Sequence, residues 1–181
     1  MKDAALLVVD AQESFRHRPY WSETDAAEFV RNLQSLMDGC VERKVPVVQI
    51  LHEEDDGPFA PSTGFVKTLE PLRIRPDAVF HKRYHSALAG TPLAGWLRER
   101  GIRRLIVSGI RTEQCCETTT RHASDSGFEV DYVMDATLTF AMTHPRTGRK
   151  VTAGEIKDRT ELVLSGRFAR VVSVEEALAA V

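Results

Sequence analysis

Three side chains that could together perform covalent hydrolysis stand at or near the ends of three different apolar segments. They are Asp10, Lys82 and Cys115. A cysteine attacks a carbonyl carbon once a neighbouring base has taken its proton, and a nearby ammonium group favours the negative charges that form. A carboxylate, an ammonium and a thiol therefore make a nucleophilic site if the fold brings the ends of these segments together.

The apolar segments predict such a fold. Most are continuous runs of Val, Ile and Leu rather than strict alternations, a pattern typical of parallel strands covered by helices on both faces. Helical patterns lie between them, so strand and helix alternate along the chain. The sequence therefore predicts an α/β fold, a three-layer α/β/α sandwich around a six-stranded, mostly parallel, Rossmann-like sheet. The predicted strands are residues 4–10, 45–51, 78–81, 104–108, 128–134 and 169–172.

In open sheets of this class, ligands bind outside the carboxyl ends of the strands, where Asp10, Lys82 and Cys115 are expected. Residues 115–126 are predicted to form a helix that Gly127 closes. Backbone N–H groups at a helix N-terminus lower the pKa of a thiol and can hold an oxyanion. The sequence thus predicts a low thiol pKa for Cys115.

Composition and charge argue against several other classes of protein. The 181 residues predict one domain, residues 1–181, with a formal net charge of −2 and no basic stripe for nucleic acid. No apolar run approaches the roughly 20 residues that span a bilayer, and the N-terminus shows no signal-peptide pattern. Three cysteines are too few for a disulfide framework. We expect a reduced, cytoplasmic protein without nucleic-acid or membrane partners.

Three motifs resemble the isochorismatase-like cysteine hydrolases. Residues 10–15, Asp-Ala-Gln-Glu-Ser-Phe, are similar to the family's D-x-Q-x-x-F opening. Residues 81–91 resemble K-x-x-x-S-A-F-x-G-T, with Leu88 in place of Phe, and residues 109–123 resemble G-x-x-T-x-x-C-V-x-x-T-x-R-x-A. The resemblance extends over about residues 4–140, and three motifs in order are far more specific than any one of them.

The resemblance implies roles for the residues that match these motifs. Asp10, Lys82 and Cys115 match the family's catalytic triad. The resemblance also implies a non-proline cis peptide between Ile110 and Arg111, and an oxyanion hole formed by the N–H groups of Arg111 and Cys115. The expected partner is a small-molecule substrate, and no organic cofactor is needed. Candidate substrate-binding residues within the motif segments are Gln12, Phe15, Tyr84, His85, Glu113 and Gln114.

Two positions depart from the family pattern. Cys116 stands where Val is usual, so two thiols are adjacent; the motif register selects Cys115 and predicts that Cys116 packs against the sheet. The nicotinamidases of the family bind a metal ion through a D-x-H pair after the second strand. Residues 52–55 read His-Glu-Glu-Asp instead, so we expect no metal.

Residues and resemblance together predict a cysteine hydrolase that cleaves an amide or N-carbamoyl C–N bond through a Cys115 thioester. One alternative is vinyl-ether hydrolysis of the isochorismatase type by Asp10 and Lys82, which can dispense with the thiol. A second is a non-catalytic redox protein that uses Cys115 and Cys116. The sequence leaves the substrate open.

A homo-oligomer, either a dimer or a tetramer, is also expected, since family members commonly assemble. Tyr20, Trp21, Phe59 and Phe65 lie in segments with no helical or strand period to bury them. Aromatic residues in loops often mark an interface, which predicts a contact near residues 58–65. The alternative is that the loop folds over its own rim and covers them.

Overall fold

The computed structural model describes residues 3–181. The strands are β1 (Ala4–Val9), β2 (Val47–His52), β3 (Ala78–Lys82), β4 (Arg104–Ile110), β5 (Glu129–Leu138), β6 (Met142–Thr143), β7 (Lys150–Val151) and β8 (Arg170–Val172). The helices are α1 (Glu23–Glu42), α2 (Leu93–Glu99), α3 (Glu117–Asp125), α4 (Ala153–Leu164) and α5 (Val174–Ala179).

Six of the strands form one parallel sheet in the order β3–β2–β1–β4–β5–β8, which confirms the predicted fold class. From β1 the chain builds outward through β2 to β3, and it then returns to place β4 on the other side of β1. The crevice where strand order reverses therefore lies between β1 and β4, and this is where ligands bind in such sheets. Strands β6 and β7 form a separate antiparallel hairpin.

Alternate side chains of the central strand pack into two apolar layers, one on each face of the sheet. Leu6 and Val8 point into the layer that α1 and α5 cover, whereas Leu7 and Val9 point into the layer beneath α2 and α3. All four are buried, and this explains why β1 reads as an unbroken apolar run. The two layers pack both faces of the sheet beneath its carboxyl edge, where Asp10 follows β1.

Side-chain caps mark the starts of three helices. The side chain of Ser22 accepts a hydrogen bond from the N–H of Asp25 at the start of α1. Thr152 before α4 and Ser173 before α5 each form a capping box with the glutamate three residues later. These short-range bonds satisfy N–H groups that the helix itself leaves without acceptors.

Aromatic residues expected at an oligomer contact instead make contacts within the chain. Phe59 is 3% exposed and packs edge-on against Phe15, with ring centroids 5.0 Å apart. Phe65 stacks on His17 at 3.6 Å, and the other two lie beside Phe140. The loop folds over its own rim because these rings find partners among neighbouring loops. The expected homo-oligomer stays a prediction, without support from these residues.

Among residues 3–181, no helix combines the length and the apolar character that crossing a membrane requires.

Candidate active site

At the carboxyl edge of the sheet, β1 and β4 approach each other closely. Gly109 has φ +122°, and a Cβ atom there would lie 1.8 Å from the backbone oxygen of Val9. Only glycine permits this conformation and this spacing. Asp10, the next residue of the chain after Val9, itself adopts a left-handed φ of 52°, which non-glycine residues rarely do. The backbone there is shaped to place the Asp10 carboxylate.

Lys82 contacts both of the other predicted catalytic residues, Asp10 and Cys115. Its Nζ lies 2.8 Å from Asp10 Oδ2 and 3.5 Å from Cys115 Sγ. Asp10 and Lys82 are almost completely buried, and Cys115 is 8% exposed. The structure therefore brings the ends of β1, β3 and the turn after β4 together, although they are distant in sequence.

Burial and mutual charge set the protonation of this group. Desolvation raises the pKa of the Asp10 carboxyl above its usual range, although the Lys82 ammonium opposes the shift. Burial acts to lower the pKa of Lys82, but the Asp10 carboxylate and the Cys115 sulfur outweigh it, and the pKa is raised. Lys82 therefore stays charged, while Asp10 is a stronger base than an exposed aspartate.

The low thiol pKa expected for Cys115 is wrong. Burial, followed by the charge of Asp10, raises the pKa of this thiol, and the Lys82 ammonium offsets only part of the effect. Cys115 also does not open the helix as expected: it lies in a π-helical turn, Thr112–Cys116, and α3 begins at Glu117. Cys115 is therefore protonated at rest and needs a base to become a nucleophile.

Two hydrogen bonds attach the turn that carries Cys115 to β5. Tyr132 Oη donates a hydrogen bond to the backbone oxygen of Thr112 at 2.7 Å, and Thr112 Oγ1 donates to Thr137 Oγ1 at 2.8 Å. Between these two β5 residues the pairing with β4 is irregular: Val107 is opposite Tyr132, whereas Gly109 is opposite Thr137. The extra β5 residues form a bulge next to the turn that carries Cys115.

Cys116 packs into the core, as predicted. It is completely buried in the apolar layer beneath α2 and α3, and both it and Cys115 are free thiols. Burial raises its pKa well above the usual value, with further contributions from Cys115 and Asp10. The two adjacent cysteines therefore differ, since only Cys115 contacts Lys82.

His52 at the end of β2 contacts the predicted triad, although the sequence assigned it no catalytic or substrate-binding role. Its Nδ1 lies 3.2 Å from Lys82 Nζ, and its Nε2 lies 3.5 Å from Glu54 Oε1. Burial and the positive charges of Lys82 and His85 lower the pKa of His52 to about 4. His52 is therefore neutral near pH 7, and its Nδ1 accepts a third hydrogen bond from Lys82.

The candidate substrate-binding residues occupy different depths. Gln12 is completely buried, and its amide bonds both the N–H and the carbonyl oxygen of His52, so it fixes the loop after β1 to the end of β2. Phe15 is buried against Phe59, which makes it part of the wall of the rim. Tyr84 and His85 are exposed after β3. Their contacts with substrate stay predictions.

The remaining candidates follow β4. The Ile110–Arg111 peptide is cis, as the resemblance implies. Arg111 is 7% exposed, and its Nη2 lies 3.0 Å from Oε1 of the largely buried Glu113. Gln114, partly buried, directly precedes Cys115. Among residues 3–181, no three His, Cys, Asp or Glu side chains are grouped so that they could hold a metal ion.

Comparison with known proteins agrees with this geometry. The family model for the isochorismatase domain matches residues 4–173. Nicotinamidase 3 of Arabidopsis thaliana is 30% identical over 77% of this chain and 75% of its own. An isochorismatase-family protein of Chromobacterium violaceum superposes with a TM-score of 0.89, at 28% identity, over 99% of this chain and 94% of that chain. An isochorismatase of Pseudomonas putida gives 0.87 at 27% identity, over 96% and 89%. The chain belongs to the isochorismatase family of hydrolases.

Proposed function

We propose that this protein is a cysteine hydrolase that cleaves the C–N bond of a small amide or N-carbamoyl compound through a thioester on Cys115. The observation that carries the proposal is the position of Lys82 Nζ within 3.5 Å of both Asp10 and Cys115. The Asp10 carboxylate also interacts with the Cys115 side chain, and its second oxygen, Oδ1, is buried without another hydrogen-bond partner. A buried carboxylate with a vacant acceptor atom is suited to take a proton.

The first half of the reaction forms the thioester. Asp10 takes the proton of the Cys115 thiol as the sulfur attacks the carbonyl carbon, because a thiol with a raised pKa does not ionise beforehand. The N–H groups of Arg111 and Cys115 hold the oxyanion, and Lys82 keeps Asp10 in position. Asp10 then gives the proton to the leaving nitrogen. The C–N bond breaks, and ammonia or an amine departs.

The second half regenerates the enzyme. Asp10 takes a proton from a water molecule, and the resulting hydroxide attacks the thioester carbonyl. The C–S bond breaks, the sulfur recovers the proton from Asp10, and the acid or carbamate leaves. Throughout the cycle Lys82 remains charged, which its raised pKa favours.

One relative supports this choice of bond. Nicotinamidase 3 of Arabidopsis is named for nicotinamide, whose carboxamide group contains a C–N bond of the proposed class. The complete Asp10–Lys82–Cys115 arrangement also favours thiol chemistry over a reaction that needs only the first two residues.

The test is ammonia release from a panel of primary amides and ureido acids by the wild type, Cys115→Ala and Cys116→Ala. We expect Cys115→Ala to abolish hydrolysis, and Cys116→Ala, the neighbouring core cysteine, to retain most of it. Isochorismate cleavage that survives Cys115→Ala would identify the vinyl-ether reaction instead. A stable loss of two hydrogens across the dipeptide on oxidation would favour the redox alternative.

A further inference from the structure

Buried side-chain polar atoms without a hydrogen-bond partner are concentrated at one edge of the molecule. Among residues 3–181, all of them except Thr120 Oγ1 belong to residues 10–21, 111–113 and 139. These segments follow β1, β4 and β5, so they start from the carboxyl edge of the sheet, where the β1–β4 crevice also opens. Since buried polar groups in native proteins are nearly always paired, the unpaired ones here indicate a place for a ligand.

Arg111 and Glu113 form the charged centre of this group. Arg111 Nη2 and Glu113 Oε1 are 3.0 Å apart, close enough for an ion pair, yet they are not aligned for a hydrogen bond. Arg111 Nε and both Glu113 oxygens also have no hydrogen-bond partner. The two side chains are 9% and 10% exposed. A cation and an anion therefore lie side by side, buried, with hydrogen-bonding capacity left over.

Aromatic rings fix the guanidinium in place. Its central carbon lies 5.0 Å from the ring centroid of Tyr20 and 5.8 Å from that of Phe140. Trp21 packs against Phe140 at 5.6 Å, and its indole N–H is another buried donor without an acceptor. A guanidinium held by two rings is already oriented, so little side-chain freedom is lost when a ligand binds.

A second ion pair, of which only the carboxylate is buried, shows how an ion pair with a structural role is arranged in this protein. Asp131 of β5 accepts two hydrogen bonds from Arg170 of β8, at 2.8 and 2.9 Å. Both carboxylate oxygens are satisfied, and the bidentate pair ties two strands together. The Arg111–Glu113 pair ties no elements together in this way, because both residues follow β4. Strand pairing therefore does not account for its burial.

We propose that Arg111 and Glu113 form a specificity subsite for the non-reacting end of the substrate, and that this end is a second, neutral carboxamide or ureido group. This inference rests on the proposed C–N hydrolase function. The carbonyl oxygen of such a group accepts from Arg111, and its N–H donates to Glu113. A carboxylate in the same place is repelled by Glu113, and an ammonium is repelled by Arg111.

The placement of the pair beside the triad supports this assignment. Arg111 directly follows β4 and Asp10 directly follows β1, and these strands are neighbours in register, with Val9 opposite Gly109. Glu113 lies in the same turn as Cys115. The pair therefore follows the same strand end as Cys115, at the edge of the sheet where Asp10 and Lys82 also lie.

The experiment compares four compounds of similar length that differ in the distal group. They are succinamide with a carboxamide, succinamate with a carboxylate, 3-aminopropanamide with an ammonium, and butyramide with a methyl group. We expect kcat/KM for succinamide to exceed the other three by about tenfold or more, because each alternative leaves a buried partner unpaired. Equal values for succinamide and butyramide would overturn the proposal.

Glu113→Gln tests the role of charge. Removing the anion leaves Arg111 unopposed, so the ratio of kcat/KM for succinamate to that for succinamide should rise by about tenfold. Glu129→Gln is the matched control, since Glu129 lies on the surface at the amino end of β5. It should leave kcat/KM for both compounds, and therefore their ratio, unchanged. An unchanged ratio in Glu113→Gln would contradict the subsite.

Binding separates this inference from the proposed reaction. With Cys115→Ala, which blocks turnover, ligand-observed NMR titrations should rank the four compounds in the same order, and Glu113→Gln in that background should raise the relative affinity for succinamate. If succinamide binds selectively but the wild type releases no ammonia from any compound, the reaction is wrong and the subsite stands. If none of the four binds, the subsite is wrong.

Discussion

Two buried carboxylates, one at the catalytic edge and one between helices, differ in how completely they are paired. Glu117 accepts hydrogen bonds from three side chains, those of Arg121, Arg159 and Thr160. Asp10 accepts one from Lys82, and its Oδ1 has no hydrogen-bond partner. Glu117 joins α3 to α4, whereas Asp10 joins nothing beyond the catalytic group. Complete pairing indicates a structural role, and the vacant oxygen indicates a base.

The largest expected effect is on turnover. Asp10→Asn removes the base but keeps the shape of the side chain, so ammonia release should fall by about 10²–10⁴-fold, the usual contribution of general acid–base catalysis. The far-UV circular dichroism should remain that of the wild type, because Asp10 contributes little to the core. Activity within a few-fold of wild type would show that Asp10 is not the base. The difference in pairing between Asp10 and Glu117 would then not indicate a difference in role.

The pH dependence of the reaction should report the raised pKa of Asp10. The carboxyl must be ionised to take a proton, and burial raises its pKa above the ordinary 3.8. As the pH falls through this raised value, kcat/KM should therefore decline at a higher pH than an exposed aspartate would produce. A kcat/KM that stays constant down to pH 3.8 would contradict the burial effect.

Loss of the hydrogen-bond acceptor that His52 provides to Lys82 should lower turnover less than loss of the base, Asp10. His52→Ala removes it and should lower kcat by roughly tenfold, in line with one lost hydrogen bond to a charged group. His52→Asn, whose side-chain oxygen can replace Nδ1, should recover most of that loss. KM should change little in both. Equal losses in the two variants would show that His52 acts only by filling space.

On the structural side of the comparison, Glu117→Ala should lower the free energy of unfolding by about 2 kcal/mol, below the ~3–5 range of fully buried pairs because its arginines are partly exposed. Turnover per folded molecule should stay within a few-fold of wild type. Urea denaturation measures the first quantity and active-site titration followed by ammonia release measures the second. A larger effect on turnover than on stability would place Glu117 at the catalytic edge.

The fold, and the meeting of Asp10, Lys82 and Cys115 at one edge of the sheet, could be predicted from the apolar segments and the residues that follow them; the triad roles of these residues come from the family resemblance and stay a prediction. Continuous apolar runs identified the parallel strands, and the residues after them met at one edge, as the geometry of such a sheet requires. The resemblance, rather than the apolar pattern, predicted that Cys116 packs in the core, since the motif register selected its neighbour as the nucleophile.

The pKa of Cys115 and the packing of the loops could not be predicted from local sequence patterns. The pKa of Cys115 depends on how deeply the thiol is buried beside Asp10, and sequence spacing does not contain that depth. The contact of His52 with Lys82 joins β2 to β3, and the packing of Phe59 on Phe15 joins two loops. Such contacts are set by tertiary structure and leave no periodic signal.

The bulge in β5 gives this architecture a way to change specificity. Between the pairs Val107–Tyr132 and Gly109–Thr137, β5 has three residues more than β4, and the chain then runs on to Phe140 beside Arg111. Insertions or deletions at residues 133–136 would thus shift the wall around the proposed subsite, while Asp10 and Lys82 keep their places on other strands. A change in the length of one strand could therefore alter the substrate specificity without altering the residues proposed for the reaction.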